Sequence, residues 1–229
     1  MKHAYIIIAL ALIANTAGAQ SFRKGSVLIS ISEGTSYTTF STSAPFENTT
    51  GSSNNSGSNN GGDVLHTGNI TGARDPLTIE YGLTDHWGLG INMGGDIYHA
   101  EASKYYGFQC KNNDIKIITS ELTLDANYHF FVTRHFDLAA FASLGFSSVS
   151  FKGNDGDHAY NYNAGGLLVR TGTKARYYIT KRFGVIGMLS TFATSNSTEG
   201  QKGNTVGNNY TTTIKGSAIE FGLCYRVRR

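Results

Sequence analysis

Near its C-terminal end the chain reads AIEFGLCYRV from Ala218 to Val227, an unbroken alternation of side chains. Every second position is apolar or aromatic, namely Ile219, Phe221, Leu223, Tyr225 and Val227. The intervening positions carry charges or small residues. Successive side chains of a strand point to opposite faces, so this stretch predicts a β-strand with one apolar and one charged face.

Seven further segments complete a set of eight. The same alternation recurs at residues 26–32, 77–83, 87–97, 121–130, 136–146 and 167–179. The segment from Phe183 to Ala193 is apolar on both faces, and its pattern does not orient it. Pro76 shortens the second segment, which reaches the roughly 9–11 residues of a membrane-spanning strand only if it begins near Leu65 with a bulge at the proline.

The connections between these segments alternate in length. Three are short, namely Thr84-Asp85, Val132-Thr133-Arg134 and Thr180-Lys181-Arg182, and four are long, namely residues 34–75, 99–114, 152–164 and 194–210. Short turns on one side and long loops on the other are typical of outer-membrane barrels. We therefore predict an all-β fold: an eight-stranded antiparallel transmembrane β-barrel with short periplasmic turns and long extracellular loops.

Soluble β-sandwiches and lipocalin-like barrels also alternate, so the direction of the apolar face needs separate evidence. Aromatic residues gather near the short turns and the C-terminus, which predicts an interfacial girdle of Tyr81, Trp87, Tyr128, Phe130, Phe136, Tyr177, Phe183 and Tyr225. The opposite face is too rich in charge for a dry soluble core. It predicts a polar lumen with a charge network of Glu80, Glu121, Asp125, Arg170, Lys174, Arg176, Glu220 and Arg226.

The first residues resemble a secretory signal, with Lys2, an apolar run, and Ala17-Gly18-Ala19 as a cleavage site. We expect residues 1–19 to be the signal peptide and 20–229 to be one barrel domain.

Without Lys2 the mature chain has 18 basic and 16 acidic residues, a net charge of about +2 that does not suggest nucleic-acid binding. Cys110 and Cys224 fall at opposite ends of the predicted barrel, so we expect no disulfide between them.

The chain resembles the small outer-membrane β-barrel family that includes the OmpA transmembrane domain, OmpX and OmpW. The resemblance covers everything after the signal and rests on the eight-segment plan, the strand-turn-strand unit of residues 81–90, and the closing strand from Ile219 to Val227. It implies a protein of the cell outer membrane that contacts its lipids, and a monomer. Such barrels often end in an aromatic residue, whereas this chain ends Val227-Arg228-Arg229.

Eight strands enclose a lumen that side chains can fill, so we expect paired charges to close it. The predicted role is then structural or one of surface contact, without catalysis, metal or cofactor. A narrow channel for small or hydrophobic solutes of the OmpW kind is the alternative. A lateral opening or an uninterrupted lumen would favour the channel.

The remaining candidates are weaker. A lipid-modifying enzyme is a minor alternative with His99 and Glu101 as its best residue pair, and Asp155-Gly156-Asp157-His158 has too few ligands for a calcium loop. Asp125 and His129 share a face but lie about 13 Å apart along an extended strand, so we expect lumen hydrogen bonds rather than a shared ion.

The first long loop contains the low-complexity residues 47–62, which we expect to be mobile. An extracellular ligand would bind to the loops, where the aromatic residues Tyr37, Phe40, Phe46, Tyr105, Tyr106 and Phe108 either dock a partner or pack at the barrel mouth.

Overall fold

The computed structural model describes residues 21–44, 63–101, 114–154, 159–198 and 210–228. These residues form ten strands: β1 (Val27–Ala44), β2 (Asp63–Arg74), β3 (Leu77–Gly82), β4 (Trp87–Gly94), β5 (Asp96–Glu101), β6 (Asp114–Val132), β7 (Phe136–Asn154), β8 (Ala159–Tyr178), β9 (Phe183–Thr198) and β10 (Tyr210–Arg228). Within these ranges no helix is long and apolar enough to cross a membrane.

The ten strands make one closed antiparallel ring with eight positions. β2 and β3 together occupy one position, and β4 and β5 together occupy the next. The ring closes because β10 pairs with β1 along almost its whole length, from Val27 opposite Arg228 to Ser43 opposite Thr211. The predicted eight-stranded barrel is confirmed, and its three short turns join β3 to β4, β6 to β7 and β8 to β9.

Two adjacent interruptions explain the extra strand count. The second ring position breaks at Asp75-Pro76, where the carbonyl of Pro76 accepts a hydrogen bond from the Ser32 amide at 3.1 Å. Proline has no amide hydrogen to donate to the ladder, so regular pairing stops there. The third position breaks at Gly95, whose carbonyl accepts a hydrogen bond from the Asp75 amide at 3.4 Å. The second ring position therefore continues before Pro76 as β2. This agrees with the prediction that the second segment begins before the proline in order to reach the length of a membrane-spanning strand.

The predicted long loops were too wide and need correction. The stretch predicted as loop 34–75 contains the second half of β1, up to Ala44, and all of β2 from Asp63. Strand residues also extend into the predicted loops 99–114, 152–164 and 194–210. These extensions are rich in Ser, Thr, Asn and Gly, so apolar alternation does not mark them, although threonine is itself favoured in strands. Residues 45–62, including Glu47 and the low-complexity run, lie outside the described residues.

The outer surface carries the apolar face of every segment. Seven of the eight predicted girdle residues are 40–52% exposed, and Phe136 is half-buried. β9, which pattern alone did not orient, turns Val185 and Leu189 outward and Ile186, Met188 and Phe192 inward. With an apolar exterior and a charged interior, the barrel has the polarity of a membrane-spanning protein.

One seam of the wall is short. β2 and β5 pair only from Gly72 to Arg74 and from Asp96 to Tyr98. Beyond Gly72 toward the loops, β2 pairs with β1, while residues 99–101 of β5 pair with β6. In the described part of the wall, the two neighbouring strands therefore make no further backbone pairs toward the loop end.

Candidate functional site: the charged interior

All eight residues of the predicted charge network point into the barrel. Each is at most 7% exposed, although their strands are not all neighbours in the ring. The structure divides seven of them between three groups, which we call the Arg74 cluster, the Lys174 pair and the His129 ring. It places the eighth, Arg226, apart from these groups at the turn end.

The Arg74 cluster lies in the loop-side half of the lumen and joins five ring positions. The Arg74 guanidinium donates from Nη1 to Asp96 Oδ2 at 2.7 Å, from Nη2 to Glu121 Oε2 at 2.7 Å, and from Nε to Glu220 Oε1 at 2.9 Å. Arg170 from β8 donates to the same carboxylate oxygen of Glu121. Arg74 is fully buried, so its three carboxylate partners take the place of water.

Neighbouring side chains complete the cluster. Phe192 lies between its two arginines, with the guanidinium carbon of Arg74 5.8 Å and that of Arg170 5.5 Å from the ring centroid. Ser32 donates to Glu220 at 3.3 Å, and Thr119 donates to Asp96 at 3.2 Å. Both cation–π contacts and hydrogen bonds to the carboxylates lower the cost of burying these charges.

The His129 ring lies nearer the turns. His129 Nδ1 is 2.6 Å from Asp137 Oδ1, and Nε2 is 2.7 Å from Glu80 Oε1. Arg176 contacts the second oxygen of each carboxylate, at 2.8 Å to Asp137 and 2.5 Å to Glu80. A neutral imidazole has one donor and one acceptor nitrogen. Two carboxylate contacts therefore require a proton on both ring nitrogens or on one of the carboxyl groups.

The Lys174 pair lies between the two larger groups. Lys174 Nζ donates to Asp125 Oδ2 at 3.1 Å and to Asn127 Oδ1 at 2.8 Å. The same ammonium is 4.5 Å from the centroid of the Phe141 ring. Asp125 and His129 therefore belong to different groups.

The described residues before β1, Ser21 to Ser26, form an N-terminal segment that covers the lumen at the turn end. Phe22 is fully buried, and its phenyl group stacks on the imidazole of His129, with centroids 3.5 Å apart and planes 9° apart. Ser21 donates from its amide to the Thr133 carbonyl at 2.7 Å, and its own carbonyl accepts from Arg226 at 2.8 Å. Arg226 also donates to the Lys181 carbonyl. The segment is thus hydrogen-bonded to the β6–β7 turn and, through Arg226, to the closing strand.

Apolar side chains cover the charged groups on both sides. Toward the turns, Phe22 packs with a cluster formed by Leu28, Tyr178, Ile186, Met188 and Cys224. Toward the loops lies a larger buried cluster of Phe40, Ile70, Tyr98, Ile117, Val149, Leu168, Phe192, Ile214 and Ala218. The charges therefore sit in a desolvated layer, where an unpaired charge would be costly.

Several central residues were absent from the predicted network. Arg74 was assigned to a loop, yet it makes three ion pairs. Asp96 and Asp137 fall on the charged faces of the segments 87–97 and 136–146, and lumen hydrogen bonds are predicted for His129, but the predicted network includes none of the three. Their alternation with Ile97, Leu138 and Phe130 was the signal that could have added them. Phe22 carried no such signal.

The other candidate residues form no site among the side chains that the structure describes. His99 is exposed on β5, while the side chain of Glu101 and residues 155–158 lie outside what the structure describes. Among described side chains, no group of three or more His, Cys, Asp and Glu is placed to hold a metal ion. Cys224 is a buried free thiol, and Cys110 lies outside the described residues. Of the loop aromatics, Tyr37 is exposed and Phe40 is buried in the loop-side cluster. Phe46, Tyr105, Tyr106 and Phe108 lie outside the described residues.

The closed ring, its apolar exterior and its charged interior define a small transmembrane β-barrel of the outer-membrane type. Neither a family model nor a curated protein matches the sequence. Among solved structures, the chain is similar to the outer membrane protein OprG from Pseudomonas aeruginosa, with a TM-score of 0.53, 14% identity, and coverage of 91% of this chain and 98% of OprG. This likeness confirms the fold.

Two other solved barrels match less well. A major outer membrane protein from Thermus thermophilus has a TM-score of 0.49 and 13% identity, with 85% of this chain and 98% of that chain covered. The outer membrane protease OmpT from Escherichia coli has a TM-score of 0.48 and 11% identity, with 88% and 96% covered.

Proposed function

We propose that this protein is a non-enzymatic, monomeric outer-membrane barrel with a structural or surface-contact role and no axial path for solutes. The observation that carries the proposal is the Arg74 cluster. One fully buried guanidinium reaches carboxylates from β5, β6 and β10, so side chains cross the lumen from several sides. Together with the Lys174 pair and the His129 ring, it supports a plugged interior rather than a water-filled one.

A closed interior directs the proposed function to the outside of the barrel. The lipid-facing wall anchors the protein in the membrane, and the connections at the loop end are the natural place for contact with an extracellular ligand. The predicted signal peptide of residues 1–19 and the barrel domain of residues 20–229 belong to this proposal, because an outer-membrane barrel has to be exported before it folds.

Single-channel conductance of the refolded protein in a planar bilayer tests the proposal. A heat-dependent gel shift first establishes that the barrel has formed. We expect the folded wild type to be silent. A matched variant, Arg74→Ser with Arg170→Ser, shortens two side chains that cross the lumen and serves as the opened control. Discrete, reproducible openings of the folded wild type would overturn the closed-lumen proposal.

The end of backbone pairing between β2 and β5 supports a second candidate function, a lateral path for small hydrophobic solutes. Such a path would run between Thr71 and His99, the first positions beyond the paired stretch, toward the buried apolar cluster at the loop side. It would leave the charged layer sealed, so it is compatible with a silent bilayer recording.

Cross-linking the seam tests this second candidate. In a Cys110→Ser background, Thr71→Cys and His99→Cys would be joined by a bifunctional thiol reagent in cells that express the barrel. Reagent-dependent loss of uptake of an apolar solute would support the lateral path. Equal uptake before and after verified cross-linking would exclude it.

A further inference from the structure

Basic side chains surround the turn end of the barrel. Arg23 and Lys24 in the N-terminal segment, Arg134 in the β6–β7 turn, and Lys181 and Arg182 in the β8–β9 turn are all exposed. We call these five residues the basic collar. At this end the one exposed acid among the described residues is Asp85 in the β3–β4 turn, whose Oδ1 accepts a hydrogen bond from the Lys24 amide at 2.9 Å.

The five collar side chains take no part in the described ion pairs of the lumen. Within the described chain, the ion pairs of the lumen involve Arg74, Arg170, Lys174, Arg176 and His129. None of the five collar side chains is in ion-pair contact with a described carboxylate. Among the described residues, the turn end therefore carries five exposed bases against the single exposed acid Asp85, a clear excess of positive charge. The positive potential of these bases favours the binding of an anion at this end.

The height of the collar identifies the kind of anion. Aromatic residues of the girdle flank each basic turn, with Phe130 and Phe136 on either side of Arg134, and Tyr177 and Phe183 on either side of Lys181 and Arg182. Tyr and Trp rings of this kind lie at the level of the lipid headgroups. Basic side chains at the same level reach headgroup phosphates rather than partners deep in the aqueous phase.

We propose that the basic collar binds anionic phospholipid headgroups in the leaflet that faces the short turns. The ligand class is a phospholipid with net negative charge, such as phosphatidylglycerol, in preference to zwitterionic phosphatidylcholine. This inference concerns the turn end of the wall and does not depend on whether the lumen conducts. It names the lipid that the proposed outer-membrane barrel selects at this surface.

Trp87 supplies the readout, since it is the single tryptophan of the chain and lies on the girdle, 50% exposed. The refolded protein would be placed in vesicles of phosphatidylcholine that contain a fixed fraction of brominated phosphatidylglycerol or brominated phosphatidylcholine. Bromine quenches tryptophan fluorescence on contact, so the ratio of quenching measures headgroup preference. Basic residues near an anionic surface contribute about 1 kcal/mol each, which corresponds to a preference of roughly five-fold per contacting base.

The variants separate the collar from general charge effects. Lys24→Gln with Arg134→Gln neutralises the bases on the segments nearest Trp87, and Lys116→Gln with Lys215→Gln removes two exposed bases in the loop-side half. We expect the preference for the anionic lipid to fall several-fold in the collar variant and to stay at the wild-type value in the control. High salt should also weaken the wild-type preference.

Two results would overturn the proposal. One is equal quenching by both brominated lipids in the wild type, which would leave an acidic protein or cell-wall polymer as the partner of the collar. The other is a preference that survives unchanged in the collar variant and in high salt. The salt dependence of the wild type keeps the proposal testable even if a variant fails the gel-shift test for folding.

Discussion

Replacing Arg74 with methionine would remove one side chain from three buried ion pairs at once. Methionine fills much of the same volume without a charge. Glu121 would keep Arg170, whereas Asp96 and Glu220 would lose the one described cation that each contacts. Both carboxylates are almost completely buried, so water cannot readily replace the guanidinium.

The expected magnitude follows from this geometry. Removing one partner of a buried ion pair typically costs about 3–5 kcal/mol, because the other charge is left buried and uncompensated. Two carboxylates are stranded here, so we expect a loss of at least about 4 kcal/mol. With an m-value of about 2 kcal/mol/M in urea, the unfolding midpoint would fall by roughly 2 M.

Urea unfolding of the refolded protein in lipid vesicles measures this loss, with Trp87 fluorescence as the probe. Lys215→Met is the matched control, since it removes an exposed basic residue from the outer wall. Arg74→Met combined with Glu220→Gln should recover part of the lost stability, because it neutralises one stranded carboxylate. A midpoint shift for Arg74→Met no larger than that of Lys215→Met would refute the argument that the cluster stabilises the barrel.

Three further predictions concern the turn-side half of the lumen. His129→Gln should lower the unfolding free energy by about 3 kcal/mol, since Glu80 and Asp137 would keep only Arg176; the exposed His99→Gln is the control, and equal effects would contradict the ring. Phe22→Ala should cost about 3 kcal/mol in the same urea assay through lost burial and stacking on His129, and a loss no larger than that of Phe130→Ala, whose ring faces outward, would contradict this role of Phe22. Gly88→Leu should cost more than about 2 kcal/mol, because a side chain there would overlap the Glu80 carboxylate; an unchanged midpoint would show that Glu80 can move aside.

Sequence reasoning predicted the wall of the barrel well where one face carries charge. In β10, Glu220 and Arg226 alternate with Phe221 and Tyr225, so both the strand and its inward face follow from the residues. In the outer half of β1 the residues from Thr38 to Ser43 are nearly all polar, so alternation cannot distinguish strand from loop. The strand continues there because its neighbour β10 offers a complete ladder of hydrogen-bonding partners.

The partners within the lumen were harder to predict than its composition. The ring formed by Glu80, His129, Asp137 and Arg176 joins β3, β6, β7 and β8, and these pairings depend on the relative stagger of the strands. Alternation determines which face a side chain takes, but it does not determine the height at which that side chain meets another strand. Phe22 lies outside any strand, so periodicity contained no information about its burial.

The buried charges also explain how an ambiguous strand acquires its orientation. A slip of one residue would turn every side chain of a strand to the opposite face. For β8 this would expose Arg170, Lys174 and Arg176 to lipid, at about 2–4 kcal/mol for each base near the bilayer centre. β9 has no charged residue between Phe183 and Thr198, and both of its faces are largely apolar. Its register is set by neighbours that cannot slip: Phe192 lies opposite Arg170 on one side, and Met188 lies opposite Glu220 on the other. The charge network thus specifies the inward face of a strand that contributes no charge to it.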